Sequence, residues 1–290
     1  MTASIGVVIR TLNESEFIVR CIETLRRQGH ELDILVVDSG STDDTVALAD
    51  RAGAQILHMS PDDFDYSKSL NIGIEEVRGD LIVLLSAHAI PIEDDWLATM
   101  LAPFDDPRVA GVNCRQVPWP DAPWWEVRRL TEIFPTERLV YDAEDRDSIV
   151  FSNAASCIRR SVWADHPFTL PAAEDMDWAQ RMVDKGYSIV YEPGATVYHS
   201  HDESPRAQAR RMIDLMRADA SVVRTRRRTL REAAVLAYGD GRAALALKEP
   251  LLKRAGYLVE LAKMVWYYVI DFDAKGTTAE RRRRELERSA

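Results

Sequence analysis

The chain has few cysteines, and none of them is spaced for a metal centre or a redox pair. Its 290 residues include three, Cys21, Cys114 and Cys157, at irregular intervals. No C-x-x-C and no Cys/His zinc pattern occurs, which excludes a disulfide framework and a cysteine-based zinc module. We interpret the three as reduced, buried thiols.

Long apolar runs are missing as well. No stretch reaches the roughly 18 apolar residues of a membrane-spanning helix, and "MTASIGVVIR" lacks the basic start and long apolar core of a signal peptide. We therefore expect a cytoplasmic protein.

Glycine-rich phosphate loops are also absent. A dinucleotide-binding dehydrogenase would carry G-x-G-x-x-G after its first strand, where this chain has "RTLNES", and the P-loop pattern G-x-x-x-x-G-K-[ST] does not occur. These two large nucleotide-binding families are excluded.

Charge is abundant but unevenly distributed. The net charge of the whole chain is −10. Residues 1–204 hold 17 Lys/Arg and 36 Asp/Glu and are acidic, whereas residues 205–290 hold 20 Lys/Arg and 11 Asp/Glu and are basic. The basic segment has two interpretations: peripheral contact with an anionic membrane on its cytoplasmic face, or solvated helices that pack on the rest of the chain or in a homodimer. We expect no nucleic acid among the partners.

Strand-like and helical patterns alternate through the first part of the chain. The apolar runs "SIGVVI", "LDILVV", "AQILHM" and "DLIVLLS" are separated by amphipathic segments. This alternation predicts an α/β fold with a mostly parallel sheet that is covered by helices on both faces. Ligands bind beyond the carboxyl ends of such strands, which here carry "RTLNE", "DSGSTDD" and "SAHAIP".

The loop "DSGSTDDT" is the most informative of the three. Ser41 and Asp44 have the spacing of a capping box, which explains these polar residues without a ligand. Asp38 is an acid at the mouth of a buried strand, and two explanations stay open for it. Its carboxylate is satisfied by loop amides, or it binds a ligand.

Five segments occur in an order that is typical of one enzyme family. They are "VVIRTLNESEFIVRCIETLRRQ", "ILVVDSGSTDDT", "DYSKSLNIGI", "LIVLLSAHAIP" and "AAEDMDWAQRMVDKGY". Over about residues 4–200 the sequence resembles the family 2 glycosyltransferases of the GT-A fold. Two segments, "FDYSKSLNIGI" and "SAHAIP", are similar to rhamnosyltransferase-like bacterial enzymes of surface polysaccharide assembly.

The resemblance implies a domain organisation and a reaction. A Rossmann-like GT-A domain would span 1–204, with a donor half of about 1–113 and an acceptor half of about 114–204, followed by a helical extension over 205–290. The implied reaction moves a sugar from a nucleoside-diphosphate-sugar donor to a hydroxyl of a saccharide or lipid-linked acceptor, with inversion at the anomeric carbon. It needs a nucleotide pocket, charge that stabilises the departing diphosphate, and a base.

Position by position, the resemblance places the donor at the three strand-end loops and at the start of one helix. Asp38 is the strongest candidate for the nucleoside. The full set of expected donor-binding residues is Thr11, Asn13, Glu14, Asp38, Asp43, Lys68, Ser86 and His88.

A departure from the family pattern lies in "SAHAIP". The resembling enzymes end this strand in Asp-x-Asp, which orients the donor and holds Mg²⁺ or Mn²⁺, whereas this chain has Ser86-Ala87-His88. Imidazole suits Mn²⁺ and other transition ions better than Mg²⁺. Two functional interpretations remain: His88 and His199 of "VYHSH" hold a divalent metal, or His88 touches the diphosphate directly. Contacts with nearby backbone would also satisfy His88.

The expected base lies in "AAEDMDWAQRM". Acids in a first helical turn are favoured by the helix dipole alone. The resemblance, however, implies that Asp175 takes the acceptor's proton and that Glu174 supports it, with Trp178 and Arg181 on the acceptor side. The competing functions are a sugar nucleotidyltransferase, which would need a glycine-rich phosphate loop, and a nucleotide-sugar-binding protein without catalysis.

Overall fold

The computed structural model describes residues 4–122 and 124–200, together with positions 255, 258, 259, 262 and 263. The chain separates into two compact units, Met1–His201 and Asp202–Ala290. The first unit is described below. The expected helical extension over 205–290 lies outside the described residues, apart from those five positions, which are helical.

Strands and helices alternate through the first unit. The strands are β1 (Ile5–Thr11), β2 (Leu32–Asp38), β3 (Gln55–His58), β4 (Leu81–Ser86), β5 (Ile90–Pro91), β6 (Val109–Val117), β7 (Leu139–Tyr141), β8 (Ala155–Arg159) and β9 (Ser188–Tyr198). The α-helices are α1 (Ile18–Arg26), α2 (Thr45–Arg51), α3 (Tyr66–Glu76), α4 (Trp96–Leu101), α5 (Trp124–Ile133), α6 (Arg160–Asp165) and α7 (Glu174–Asp184). Short 3-10 helices cover Pro61–Asp63, Ala102–Asp105 and Ala143–Ser148.

All of these strands belong to one sheet, in the order β3-β2-β1-β4-β8-β6-β9-β5, with β7 also paired to β9. The first four strands along this order are parallel. β8 runs antiparallel between β4 and β6, which therefore point the same way, and β9 is parallel to β6. The expected α/β fold with a mostly parallel sheet is confirmed.

The core lies on both faces of the sheet. Alternate residues of β1 point to opposite sides, so Val7 and Ile9 pack with α1 whereas Val8 packs with α3. Helix α3 comes very close to the sheet at Gly73, where an added Cβ would lie 2.6 Å from Val8 Cγ1. This contact explains the glycine in "LNIGI", because a larger residue there would push the helix off the strand.

Candidate active site

The carboxyl ends of β1, β2 and β4 form one edge of the sheet. In the parallel register Thr11 lies beside Asp38, and Arg10 lies beside Ser86. Three loops that the sequence singled out, "RTLNE", "DSGSTDD" and "SAHAIP", therefore meet at this edge, which is where open α/β sheets bind ligands.

Asp38 is buried, with 2% of its surface exposed. Its carboxylate accepts hydrogen bonds from the backbone amides of Gly40 and Ser41, each at 3.2 Å. Gly40 has a φ of 99°, and an added Cβ would lie 2.5 Å from Pro61 Cγ. Loop amides thus satisfy the Asp38 carboxylate, and in doing so they shape the loop at the mouth of β2.

Thr11 ends β1 as a buried residue, 4% exposed. Its backbone carbonyl accepts from the Ser39 amide at 3.1 Å, which joins the two loops. Among the described residues, its hydroxyl Oγ1 is buried and has no hydrogen-bond partner. A buried polar atom without a partner costs free energy, so this hydroxyl is suited to receive a ligand atom.

Asn13 and Asp43 connect the loops after β1 and β2. Asn13 has a φ of 56°, and its side-chain oxygen accepts from the Thr42 amide at 2.8 Å. The Asp43 carboxylate accepts from the amides of Thr45 and Ser15 at 3.0 and 3.2 Å. The hydroxyl of Thr45 is its strongest partner, and these bonds lower the pKa of Asp43 to about 2. Both residues hold the loops in place.

The capping box expected at Ser41 and Asp44 is wrong. Asp44 occupies the N-cap position of α2 but makes no capping hydrogen bond through its side chain. The Ser41 hydroxyl instead accepts from the Asn13 amide at 2.8 Å. The Ser41 hydroxyl therefore bonds to the loop after β1 and does not cap α2.

Lys68, in the first turn of α3, forms an exposed ion pair. Its Nζ lies 3.2 Å from Asp63 Oδ1. Such a pair contributes little to stability, so a stronger anion can displace Asp63 from the ammonium group.

His88 lies in "SAHAIP", two residues after the end of β4, beside two other functional candidates. Its Nδ1 lies 2.8 Å from Glu14 Oε1, and its ring stacks on that of His199, with centroids 4.9 Å apart. His199 is buried, and its Nδ1 lies 2.7 Å from Gln116 Oε1. When each Nδ1–H donates to its oxygen partner, the neutral ring carries its lone pair on Nε2, which is the tautomer that metal-ligating histidines adopt.

This histidine pair is too small to be a complete protein metal centre. Among the described residues, no group of three or more His, Cys, Asp or Glu side chains has the geometry to hold an ion. A metal held by His88 and His199 would need further ligands from a substrate.

Glu174 and Asp175 open α7, but their environments differ. Glu174 is 3% exposed, and its Oε1 lies 3.7 Å from Arg10 Nη1 and 3.3 Å from Asn153 Nδ2. Asp175 retains partial exposure, and its carboxylate accepts from the amides of Met176 and Asn153 at 2.8 and 3.3 Å. Successive helical residues are turned by about 100°, which places one acid in the interior and the other at the surface of the site.

The two carboxylates are electrostatically coupled. Burial, and next the negative charge of Glu174, raise the pKa of Asp175 to about 7. The amides of Met176 and Asn153 and the cation Arg10 act in the opposite direction. A carboxylate with a pKa near 7 is suited to accept and return a proton at neutral pH.

The expected acceptor contact of Trp178 is wrong. This side chain is fully buried between Phe151 and Phe168, and its indole Nε1–H donates to the carbonyl of His166 at 2.8 Å. Glu174 and Trp178 are four residues apart and share the buried face of α7. Trp178 therefore belongs to the core.

Arg181 is bound within its own surroundings. Its Nε donates to Asp177 Oδ2 at 2.8 Å, and its Nη2 donates to the Pro167 carbonyl at 3.0 Å. Both contacts hold the guanidinium along α7 and the segment before it.

Sequence reasoning missed Arg10. This residue directly precedes Thr11, the last residue of β1, and its guanidinium reaches towards Glu174 at the start of α7. The signal was its position in "RTLNE", where a cation directly precedes the candidate donor loop.

Comparison with known proteins identifies the family. The family model described as "Glycosyl transferase family 2" matches residues 6–166, more than half of the chain. The chain belongs to this family. It is a glycosyltransferase that uses a nucleotide-sugar donor in glycan synthesis. The matched region ends before α7, so the roles of Glu174 and Asp175 rest on their geometry.

Two curated relatives are O-antigen chain rhamnosyltransferases. The one from Salmonella typhimurium is 29% identical over 221 residues, which cover 72% of this chain and 70% of the relative. The one from Salmonella anatum is 32% identical over 190 residues, which cover 62% of this chain and 60% of the relative.

Solved structures of other GT-A glycosyltransferases share the fold. A mannosyltransferase from Pyrobaculum calidifontis, in complex with GDP-Man and Mn²⁺, matches 94% of this chain and 87% of its own with a TM-score of 0.61 and 17% identity. A second structure is a glucosyl-3-phosphoglycerate synthase from Mycobacterium tuberculosis, in complex with Mn²⁺, UDP-glucose and glycerol 3-phosphate. The match covers 77% of this chain and 82% of the synthase, with a TM-score of 0.54 and 18% identity. The fold of this chain is GT-A.

Proposed function

We propose that this glycosyltransferase inverts the anomeric carbon of its donor sugar, and that Asp175 is the base that takes the proton of the acceptor hydroxyl. The observation that carries the proposal is the environment of Asp175. The residue stays partly accessible at the start of α7, while desolvation of its carboxylate, and next the negative charge of Glu174, raise its pKa to about 7. A base with such a pKa is about half ionised at neutral pH, so it can both accept and release a proton there.

Glu174 supports this base and does not replace it. Its carboxylate is buried and held between Arg10 and Asn153, so it has little room to reach an acceptor. Its negative charge makes Asp175 more basic, because a second negative charge next to the Asp175 carboxylate favours the protonated form of that group.

The donor nucleoside is assigned to the edge formed by β1 and β2. The unpartnered hydroxyl of Thr11 supports this position, and Asp38 offers a buried carboxylate beside it. Asn13 and Asp43 hold the loops that frame the pocket. Lys68 and Ser86 border the diphosphate in this arrangement, and the weak pair of Lys68 with Asp63 would open for a phosphate group.

A divalent metal fits the diphosphate end of the site. His88 and His199 are its proposed protein ligands, with Glu14 and Gln116 holding the two rings through Nδ1. Bound there, the ion would neutralise charge on the departing diphosphate. The ligand set favours Mn²⁺ over Mg²⁺, and Mn²⁺ is the ion named with both structural neighbours.

The donor sugar is proposed to be rhamnose, carried by a nucleoside diphosphate. The two Salmonella relatives, named as O-antigen chain rhamnosyltransferases, support this substrate and a growing saccharide chain or its lipid-linked form as the acceptor. No described helix has the length and apolar character to cross a bilayer. Membrane contact or dimer formation through 205–290 remains a prediction about residues outside the described part of the chain.

A donor screen tests the function. Nucleotide sugars, including nucleoside-diphosphate-rhamnose, would be compared for thermal stabilisation of the protein with Mn²⁺, with Mg²⁺ and without metal. Release of the nucleoside diphosphate would then be measured with saccharide acceptors. We expect one donor to stabilise the protein and to be consumed. The transferred sugar in the product should then have the opposite anomeric configuration to that in the donor. Stabilisation without consumption in the presence of any acceptor would favour a binding protein.

A further inference from the structure

Arg10 occupies an unusual position between the two halves of the site. Its side chain is 13% exposed, its guanidinium carbon lies 5.0 Å from the centre of the Tyr66 ring, and its Nη1 lies 3.7 Å from Glu174 Oε1. In the part of the chain that the structure describes, Nε and Nη1 are buried without hydrogen-bond partners. A buried cation is costly unless it interacts with opposite charge.

The contact between Arg10 and Glu174 is looser than other arginine pairs in the protein. Arg129 and Glu126 form a two-pronged pair, with hydrogen bonds of 2.8 and 2.6 Å. Arg10, in contrast, stays beyond hydrogen-bond distance of Glu174 and rests on the face of Tyr66. Its charge is therefore not neutralised by a single hydrogen-bonded ion pair, and it acts on the carboxylates of both Glu174 and Asp175.

We propose that Arg10 is a positioning residue of the transfer reaction: seated on Tyr66 and facing Glu174, it offsets the effect of the Glu174 charge on Asp175. The inference rests on the proposed role of Asp175 as the base. Without Arg10, only the amides of Met176 and Asn153 would oppose the effects of burial and Glu174, and a larger fraction of the base would be protonated at neutral pH.

The groups around Asp175 support this balance. Glu174, on the same helix, raises its pKa, whereas Arg10, from β1, lowers it. The amides of Asn153 and Met176 also lower it, as expected for donors to a carboxylate. Asp177, two residues further along α7, is paired with Arg181 at 2.8 Å, so its charge is largely offset. Arg10 is thus the positively charged side chain from another element that acts on the base.

Direct titration of the carboxylates tests the proposal without catalysis. The protein would be labelled with ¹³C at the aspartate carboxyl carbons, and the Asp175 signal would be assigned by its loss in Asp175→Asn. We expect Arg10→Met to raise the Asp175 pKa, because an opposite charge that favours the ionised carboxylate is lost. Glu174→Gln should lower it, and the double variant should fall between the two.

Two further variants separate charge from packing. Arg10→Lys keeps the charge and should leave the Asp175 pKa close to that of the wild type. Arg20→Met is the matched control, because the Arg20 guanidinium also rests on an aromatic ring, 5.0 Å from the centre of Trp119, in a different part of the unit. If Arg10→Met does not fold, Tyr66→Leu removes the seat of the guanidinium and should shift the same titration upwards.

The pH dependence of transfer gives the second readout. In Arg10→Met the fall of kcat/KM on the acid side should move to higher pH, and the rate at the alkaline plateau should approach that of Arg10→Lys. A merely structural role would lower the rate at every pH and leave the midpoint unchanged. An unchanged Asp175 titration in both Arg10→Met and Tyr66→Leu would overturn the proposal. Transfer that survives in Asp175→Asn would instead overturn the base assignment, whatever Arg10 does.

Discussion

The imidazole rings of His88 and His199 stack face to face, with centroids 4.9 Å apart and planes within 10° of each other. One residue follows β4 and the other follows β9, so two strands that are distant in sequence supply one histidine pair. Each ring is held at Nδ1 by an oxygen, from Glu14 and Gln116 respectively. Within the pair, His88 belongs to the Ser86-Ala87-His88 segment, which stands where the resembling enzymes carry Asp-x-Asp.

Because two ligands of one site fail together, His88→Ala and His199→Ala should impair transfer to similar extents, and the double variant should be no worse. Initial rates with Mn²⁺ and with Mg²⁺ would be compared, and we expect Mn²⁺ to be the better activator. His30→Ala is the control, since His30 is exposed and precedes β2 at the end of that strand remote from Asp38. Full activity in EDTA, with His88→Ala still defective, would favour a direct hydrogen bond from His88 to the diphosphate.

Replacing the proposed base should separate chemistry from donor binding. We expect Asp175→Asn to lower the transfer rate by about a hundredfold or more, the usual scale for a lost general base, while the donor Kd stays near that of the wild type. Single-turnover rates and calorimetric binding measure the two quantities. Asp177→Asn is the matched control on the same helix, and an equal loss in that variant would mean that helix structure, not proton transfer, is affected. If Glu174→Gln is the inactive variant and Asp175→Asn is active, the two roles are reversed.

The raised pKa of Asp175 also predicts a dependence of stability on pH. The folded protein keeps this proton up to about pH 7, whereas an unfolded chain releases it near ~3.9, so ionisation of Asp175 lowers the unfolding free energy as pH rises through this window. Asp175→Asn should therefore be more stable than the wild type at pH 8, by roughly 1–3 kcal/mol, and about equally stable at pH 4. Urea unfolding at the two pH values measures the difference. A wild-type advantage at pH 8 would contradict the raised pKa.

Asp38 is expected to contribute to donor binding. Asp38→Ala should weaken the binding free energy of the donor by about 1–3 kcal/mol. One cause is the loss of a hydrogen-bond acceptor for the donor, and the other is that the backbone amides of Gly40 and Ser41 lose their partner. Isothermal titration with the preferred nucleotide sugar measures this. Asp33→Ala, near the opposite end of β2, should leave the Kd unchanged. An unchanged Kd in Asp38→Ala would restrict Asp38 to shaping its loop.

Trp178 should affect stability and not acceptor recognition. Trp178→Ala removes a fully buried side chain and should cost about 3–5 kcal/mol of unfolding free energy. Trp178→Phe keeps most of the packing, and its acceptor KM should match that of the wild type. A large rise of the acceptor KM in this folded variant would return Trp178 to the acceptor site.

Much of the site could be located from sequence because strand ends carry the ligand-binding loops. Thr11, Asp38 and Ser86 were expected at one edge on this ground, and the strand register places them there. The direction in which helix residues point was harder to infer. Acids and an aromatic residue in the first turn of α7 are compatible with several rotations of the helix, and only packing against Phe151 and Phe168 decides that Trp178 faces inward.

Contacts between segments that are distant in sequence could not be predicted, for a different reason. The approach of Arg10 to Glu174 depends on the strand order β1-β4-β8, in which β8 enters antiparallel. That order has no local signature, because each strand is a short apolar run that fits several neighbours. Likewise, the cross-loop bonds of Asn13 and Asp43 replaced the local cap that the spacing of Ser41 and Asp44 favoured.

The insertion of β8 between β4 and β6 joins the parallel strands β3, β2, β1 and β4 to β6 and β9 in one hydrogen-bonded sheet. Enzymes whose substrates bind between hinged lobes exclude water by swinging one lobe onto the other. Such a swing would here have to break the ladder between β4 and β8. Substrate-driven closure in this enzyme is therefore expected from segments outside the ladder, and α7, which carries Asp175, is one of them.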